Sequence, residues 1–270
     1  MMNIRQLSLD ALTQVFKEWG EPAFRAKQVY QWLWQKHAAS FDTMSNLSKD
    51  LRTKLAATYT IPKVKIHHSQ FSSDGTIKCR FQLHDGHFVE GVLIPTEERK
   101  TACVSSQIGC SLSCKFCATG TMDRKRNLTY DEIYDQVVLL NKESERIFEK
   151  KLSNIVFMGM GEPLANEPNV WGAVERIHAD IGISARHLTI STVGIVPGMN
   201  IRGWLGYNGT VVSTTSNTIT VTPSPSRIAT AGQPKWCWEV DPKNDVVNNK
   251  PTTACDCTPN ALLGFFRTHN

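Results

Sequence analysis

The sequence predicts an α/β protein: a parallel three-strand unit with crossover helices, preceded by a helical region and followed by a polar tail. Three observations carry this. Residues 1–66 read as capped helical stripes, residues 67–98 as a period-two hairpin, and residues 99–198 as strand, helix, strand, helix, strand with continuous apolar strands, which demands parallel pairing and right-handed crossovers. The expected division is a helical domain at 1–66, a hairpin linker at 67–98, an α/β core at 99–198 and an atypical polar tail at 199–270.

In SLDALTQVFKEWG the residues Leu9, Leu12, Val15, Phe16 and Trp19 share one face, with Ser8 as N-cap and Gly20 as C-cap. A second helix starts at Pro22 with a Phe24, Tyr30 and Leu33 stripe and Trp32 and Trp34 beside it, and a third repeats Leu47, Leu51 and Leu55. The tryptophans read as the core of a small helical bundle. TIKCRFQL and FVEGVLIP alternate around Asp85-Gly86, a strong hairpin signal, and the alternation sets Cys79, Phe81 and Leu83 apart from Lys78, Arg80 and Gln82. TACVSSQ is a short strand. Thr129 and Glu132 form a capping box for a helix bearing Ile133, Val137 and Leu140. NIVFMG, EPNVWGAVERIHADIG and HLTIST then read as strand, helix and strand.

The pattern stops near Met199. The tail is close to half Thr, Ser, Pro, Asn and Gly, and carries no sustained helical stripe. The expectation is a segment that does not continue the α/β unit, as a truncated core joined to unrelated sequence would look.

Composition is ordinary for a globular chain, with 41% hydrophobic and 20% charged residues, which excludes collagen-like and wholly disordered readings. No stretch reaches the roughly 18 apolar residues of a membrane span, and the N-terminus mixes Asp10 and Glu18 with Arg5 and Lys17, unlike a leader peptide. The net charge of +5 permits a nucleic-acid partner without arguing for one.

Eight cysteines in a chain without an export signal read as thiols rather than a disulfide framework. Cys110, Cys114 and Cys117 stand at CxxxCxxC spacing in a loop directly after a strand. Three thiolates held this closely can each take one iron of a 4Fe-4S cube, leaving the fourth iron open to a substrate. The alternatives are a zinc site, which wants a fourth Cys or His, and fortuitous spacing. Phe116 between the last two cysteines and Gly120 closing the loop favour the cluster.

With that aromatic in place, TACVSSQIGCSLSCKFCATG resembles the signature of radical S-adenosylmethionine enzymes, and specifically the RlmN-like subfamily that methylates C2 of adenine in ribosomal and transfer RNA. The likeness runs in the family's order through FRAKQVYQWLW, FVEGVLIP, NIVFMGMGEPLAN and LTISTVGIVPG, over roughly residues 1–198. It implies a partial TIM-type barrel, here incomplete, with an N-terminal helical domain and an irregular C-terminal tail. Cys110, Cys114 and Cys117 would hold the 4Fe-4S cluster, and Gly161, Glu162 and Ser191 would bind S-adenosylmethionine. Glu90 would accept a proton and Cys103 would resolve a covalent RNA intermediate. Taken alone, GMGEP is a turn after a buried strand, Ser191 a strand-end residue, Glu90 an exposed strand carboxylate and Cys103 a buried strand thiol.

Adenine C2 is electron-poor, so cofactor-borne radical chemistry replaces ordinary methyl transfer. In the family one S-adenosylmethionine methylates a C-terminal cysteine, and a second yields the radical that activates this methyl group toward adenine. Two thiols outside the cluster are therefore needed. The family's methyl-bearing cysteine lies in an ACGQ-like motif, whereas the downstream cysteines here are Cys237 in KWCWEV and Cys255 and Cys257 in TACDCTPN. The implied partners are rRNA, tRNA and a reducing flavodoxin or ferredoxin, with no membrane, for a monomer in the cytoplasm or an organelle. The competing readings are another radical S-adenosylmethionine enzyme and a non-catalytic RNA- or cluster-binding remnant, in which Arg124, Lys125 and Arg126 contact phosphates.

Overall fold

The computed structural model describes residues 1–192 other than 113, 115 and 116, and beyond them the backbone of short strands between 200 and 247. Strand β1 (Met2–Asn3) leads into α1 (Leu9–Glu18), whose N-cap Ser8 accepts a hydrogen bond from the Ala11 N–H at 3.1 Å. Helix α2 (Ala23–Trp34) packs on α1 and buries Ala26, Val29, Leu33 and Trp34. Phe24, expected in this stripe, is 53% exposed. It stands nine residues before Leu33, and at about 100° per residue that is half a turn off the buried face. Helix α3 (Lys49–Thr58) starts at Ser48 and buries Leu51 and Leu55, and β2 (Tyr59–Thr60) returns to pair in parallel with β1.

Then come β3 (Lys65–Phe71), β4 (Ile77–Gln82), β5 (Phe88–Pro95), β6 (Lys100–Cys103), β7 (Gln107–Ile108), β8 (Arg126–Asn127), α4 (Tyr130–Phe148), β9 (Asn154–Phe157), α5 (Glu167–Arg176) and β10 (Leu188–Ile190). Six of these strands form one sheet in the order β10-β9-β6-β5-β4-β3. Its β6-β9-β10 half is parallel, as the apolar strands and intervening helices require, and its other half is an antiparallel meander. The expected hairpin is present, but it is no mere connector: β5 pairs with β6, so residues 65–95 supply half of the sheet. Strand β3 has no counterpart in the sequence reading because KIHHSQF has no apolar alternation to announce it.

One face of the sheet carries Ile77, Phe81, Val89, Leu93, Ala102, Ile155 and Phe157, and all are buried. Helix α4 lies against it with Ile133, Val137 and Leu140, as predicted. The capping box is also present, with the Glu132 carboxylate accepting from the Thr129 N–H at 3.0 Å. The same helix buries Asp131 and Asp135 on its other side, where Arg5 meets them at 3.0 and 2.7 Å. Trp34 stacks on Tyr130 at 5.7 Å, and the Tyr134 hydroxyl donates to the Trp34 carbonyl at 2.7 Å. Helix α4 is thus the wall shared by the helical region and the sheet. Among residues 200–223 the backbone forms a three-stranded antiparallel sheet, β11 (Asn200–Arg202), β12 (Asn208–Thr214) and β13 (Ile219–Pro223). No helix of the described residues is long and apolar enough to cross a membrane.

Candidate functional site

Three loops leave the C-terminal ends of the adjacent parallel strands β6, β9 and β10, the edge at which parallel sheets of α/β proteins bind ligands. The first holds Ser105, Ser106, Gln107 and the cysteines; the second is MGMGEP; the third begins with Ser191 and Thr192. The cysteine loop, Gly161, Glu162 and Ser191 therefore stand at the ends of neighbouring strands along one edge of the sheet.

Buried side-chain amides tie these loops beside the few backbone bonds that join them, such as those from the Ser106 and Gln107 N–H groups to the Met160 carbonyl. Gln136 of α4 accepts from the Ser105 N–H at 2.9 Å and donates to the Ser105 carbonyl at 3.1 Å. Gln107 accepts from the Glu162 N–H at 2.9 Å and donates to Asn127 at 2.7 Å. Asn166 donates to the carbonyls of Ser106 and Leu128 at 2.7 and 2.8 Å. Gly161 sits at φ 97°, and a Cβ there would lie 2.4 Å from the Gln107 Cβ, so only glycine lets the loops touch. Glu162 is buried, and its Oε1 accepts from the Leu164 N–H at 2.9 Å and from the Thr192 hydroxyl at 2.6 Å. A carboxylate fixed in this way at a strand end suits an ammonium group. Ser191 precedes Thr192 and is half-buried.

In the cysteine loop, the Cys117 N–H donates to the Cys114 carbonyl at 3.1 Å and the Gly120 N–H to the Cys117 carbonyl at 2.9 Å. A Cβ on Gly120 would stand 2.7 Å from the Cys114 carbonyl oxygen, so glycine is what lets the loop fold back. Cys110, Cys114 and Cys117 are free thiols, partly exposed. Burial raises the Cys110 thiol above its ordinary value, the Leu112 N–H opposes this, and the negative charges of Cys114, Glu162 and Cys117 add to it. Among the described residues no three Cys, His, Asp or Glu groups converge as a single metal ion requires. The donor set, three partly exposed thiols in the loop that follows β6, fits a cluster that takes one iron per thiolate. Phe116 lies outside the described residues, as do Cys237, Cys255 and Cys257.

Glu90 and Cys103 share the sheet face opposite α4. Cys103 is paired with Val92 of β5 and Val156 of β9, and Glu90 stands two residues before Val92 on the same face. The Ser105 hydroxyl donates to the Glu90 carbonyl at 2.6 Å, joining the base of the cysteine loop to this strand. Glu90 is half-exposed and forms an ion pair with Lys78 at 2.8 Å. Cys103 is buried, and burial pushes its thiol up to about 11, against a hydrogen bond from the Met158 N–H.

The hairpin turn is clamped to the far side of the cysteine loop. Arg126 of β8 donates to Asp85 at 2.8 and 2.6 Å and to Glu132 at 2.7 and 2.8 Å. These contacts, the Glu132 bonds first, hold its guanidinium well above its ordinary value despite partial burial. Arg126, expected at most as a phosphate contact, is an internal brace. Sequence spacing gave no signal for Thr192, Gln107, Gln136 or Asn166, which act through partners 30 to 60 residues away.

Residues 2–61 match the family model of the ribosomal RNA large subunit methyltransferase N-terminal domain, and residues 104–213 that of the radical SAM superfamily. A probable dual-specificity RNA methyltransferase RlmN of Cytophaga hutchinsonii is 54% identical over 194 residues, 71% of this chain and 53% of the relative. A dual-specificity RNA methyltransferase RlmN 2 of Myxococcus xanthus is 48% identical over 204 residues, 73% of this chain and 54% of the relative. Among solved structures, a radical SAM methyltransferase from Sphaerobacter thermophilus superposes with a TM-score of 0.64 at 37% identity, over 73% of this chain and 58% of the other. The chain spans about half the length of the curated relatives it matches.

Proposed function

The chain belongs to the RlmN-type branch of the radical SAM family, and from that premise we propose that it is an RNA methyltransferase directed at C2 of adenine in ribosomal and transfer RNA. The observation that carries this reading is the adjacency of Glu90 and Cys103 on one sheet face, beside three strand-end loops that bear the cysteines, Glu162 and Ser191. Cys110, Cys114 and Cys117 would hold a 4Fe-4S cluster, and Gly161, Glu162 and Ser191 would hold S-adenosylmethionine. Together, when bound, these groups supply one-electron chemistry at carbon that side chains lack.

The chain's own residues do the rest. Glu162, oriented by Thr192 and by the Leu164 N–H, receives the ammonium of the cofactor. Glu90 accepts the C2 proton of an adenine laid on its sheet face. Cys103 is kept protonated by burial and is spent only when the RNA adduct is resolved. The reading takes a flavodoxin or ferredoxin as electron donor, a monomer as the working unit and the cytoplasm as its place. It also needs a second thiol outside the cluster.

The test is anaerobic reconstitution with iron and sulfide, followed by electron paramagnetic resonance of the reduced protein with and without S-adenosylmethionine. A 4Fe-4S signal that shifts on addition of the cofactor and is lost in Cys114→Ala is the expected result. Mass spectrometry of an RNA stem-loop incubated with the reconstituted protein then reads methylation. Failure to assemble a cluster overturns the proposal.

A further inference from the structure

The antiparallel half of the sheet carries, on the face of Glu90, an aromatic ring framed by a guanidinium and an imidazole. Phe88 is 37% exposed. The Arg80 guanidinium lies over its ring at 5.0 Å, and the His67 ring packs edge-on against it, also at 5.0 Å. Arg80 Nη2 and His67 Nδ1 are 2.9 Å apart. His67 is the extra residue of a bulge between Ile66 and His68, which explains how a strand of opposite alternation aims it at Phe88. Arg80 is the cross-strand partner of Glu90, and Lys78 neutralises the Glu90 carboxylate, so the patch is cationic overall.

An exposed phenylalanine in contact with water gains nothing from being there, and this one is held in place by a planar cation and an imidazole. Such a ring suits a flat, polyanionic partner better than an apolar protein surface, because the residues around it, Lys78, Arg80, His67 and His68, are exposed and polar. Phe88 and Glu90 are two residues apart on one face, ~7 Å along the strand, close to one step of an extended polynucleotide.

We propose that Phe88, Arg80 and His67 form a stacking platform for the unpaired RNA nucleotide next to the one presented to Glu90 and Cys103. The inference rests on the RNA reading above and adds the residues that position the substrate. Phe88 supplies the stacking surface and Arg80 both stiffens the ring and meets the backbone phosphate.

The experiment is fluorescence anisotropy of a stem-loop RNA with an unpaired loop adenosine, titrated with the 270-residue chain over a range of potassium chloride concentrations. Phe88→Ala and Phe88→Leu, the latter retaining bulk for strand packing, are expected to weaken binding about tenfold with an unchanged salt slope, while Phe88→Trp restores it. Arg80→Ala is expected to lower the slope of log K against log salt by about 0.7, one phosphate contact to a single strand. Phe71→Ala removes an exposed phenylalanine that pairs with the buried Ile77 on the other face, and leaves affinity unchanged. If the wild type binds and the Phe88 and Arg80 variants bind equally well, or Phe71→Ala weakens binding as much, the platform is refuted and the enzymatic reading stands. If the wild type binds no RNA, both fall.

Discussion

Replacing Arg5 with methionine removes the only cation that touches both Asp131 and Asp135 among the described residues. The side chains of Arg5 and Asp131 are fully buried, and that of Asp135 is 7% exposed. Burial alone opposes the charge on Arg5, but the carboxylates of Asp135 and Asp131 outweigh it and hold the guanidinium above its ordinary value. Deleting one partner of such a buried pair costs about 3–5 kcal/mol. Here Asp131 keeps the amides of Asn3 and Gln6, and Asp135 keeps Lys63 and the Val64 N–H, so the lower end, about 3 kcal/mol, applies. At about 2–4 °C per kcal/mol this lowers the melting temperature by about 6–12 °C. Urea titration followed by tryptophan fluorescence reads it directly, since the Arg5 guanidinium lies 5.8 Å from the Trp34 ring. Adding Asp131→Asn and Asp135→Asn to the variant should recover part of the loss by removing the stranded charges. A loss below about 1 kcal/mol would equate this network with an exposed salt bridge and refute the reasoning.

Three further predictions concern the site and its support. Cys103, raised to about 11 by burial, should resist iodoacetamide at neutral pH and react as pH rises toward that value. Because its folded value lies above the ordinary one, its contribution to stability is present below about 9 and lost between about 9 and about 11; fast alkylation at neutral pH, read by mass spectrometry, would contradict this. His37 is lowered to about 4 by burial first and then by Lys142 and Lys63, so it stays neutral in the folded chain and its contribution, present above about 6.5, is lost as pH falls through about 4. His37→Gln should flatten that acid limb of the stability curve; an unchanged limb counts against it. Gly161→Ala puts a Cβ at φ 97° against Gln107 and should cost about 1–3 kcal/mol while abolishing the cofactor-induced shift of the cluster signal, with the cluster retained; an unaltered shift would show that the loop contact is irrelevant.

What the sequence disclosed was local in its chemistry. The Ser8 cap, the Thr129 and Glu132 capping box, the Asp85-Gly86 hairpin and the apolar runs of β6 and β9 each depend on neighbours within a few residues. The cysteine spacing and GMGEP were visible for the same reason, and topology then set them beside one another. Arg5 was invisible as a core residue because its carboxylate partners lie 126 and 130 residues away and the Pro62 carbonyl 57 away, and an arginine in a polar N-terminal stretch reads as solvated. Phe24 is exposed although it is apolar and close to the stripe in sequence, because its angle around the helix sets it opposite Leu33. Strand β3 was missed because an edge strand with one face in water needs little apolar content. Thr192 stands next to the recognised Ser191, yet its bond to Glu162 exists only because β9 and β10 are parallel neighbours.

The amide network explains how such a site keeps its shape without continuous secondary structure. Past the ends of β6 and β9 a few backbone bonds continue, from the Val104 N–H to Val156, the Gly159 N–H to Val104 and the Ser106 and Gln107 N–H groups to Met160, and any N–H or carbonyl left buried and unpaired there would cost about 1–3 kcal/mol. Gln136 satisfies both the N–H and the carbonyl of Ser105, Gln107 joins the Glu162 N–H to Asn127, and Asn166 joins the carbonyls of Ser106 and Leu128, so these amides complete what the backbone bonds leave unpaired. Their partners are the loops that carry the cysteines and Glu162. A purely apolar filling would leave those loops free to choose among conformations, whereas directional bonds at both ends of a rigid amide fix one. The buried polar side chains between α4 and the strand ends therefore set the geometry of the site, and the apolar face of the sheet supplies the stability that allows them to be buried.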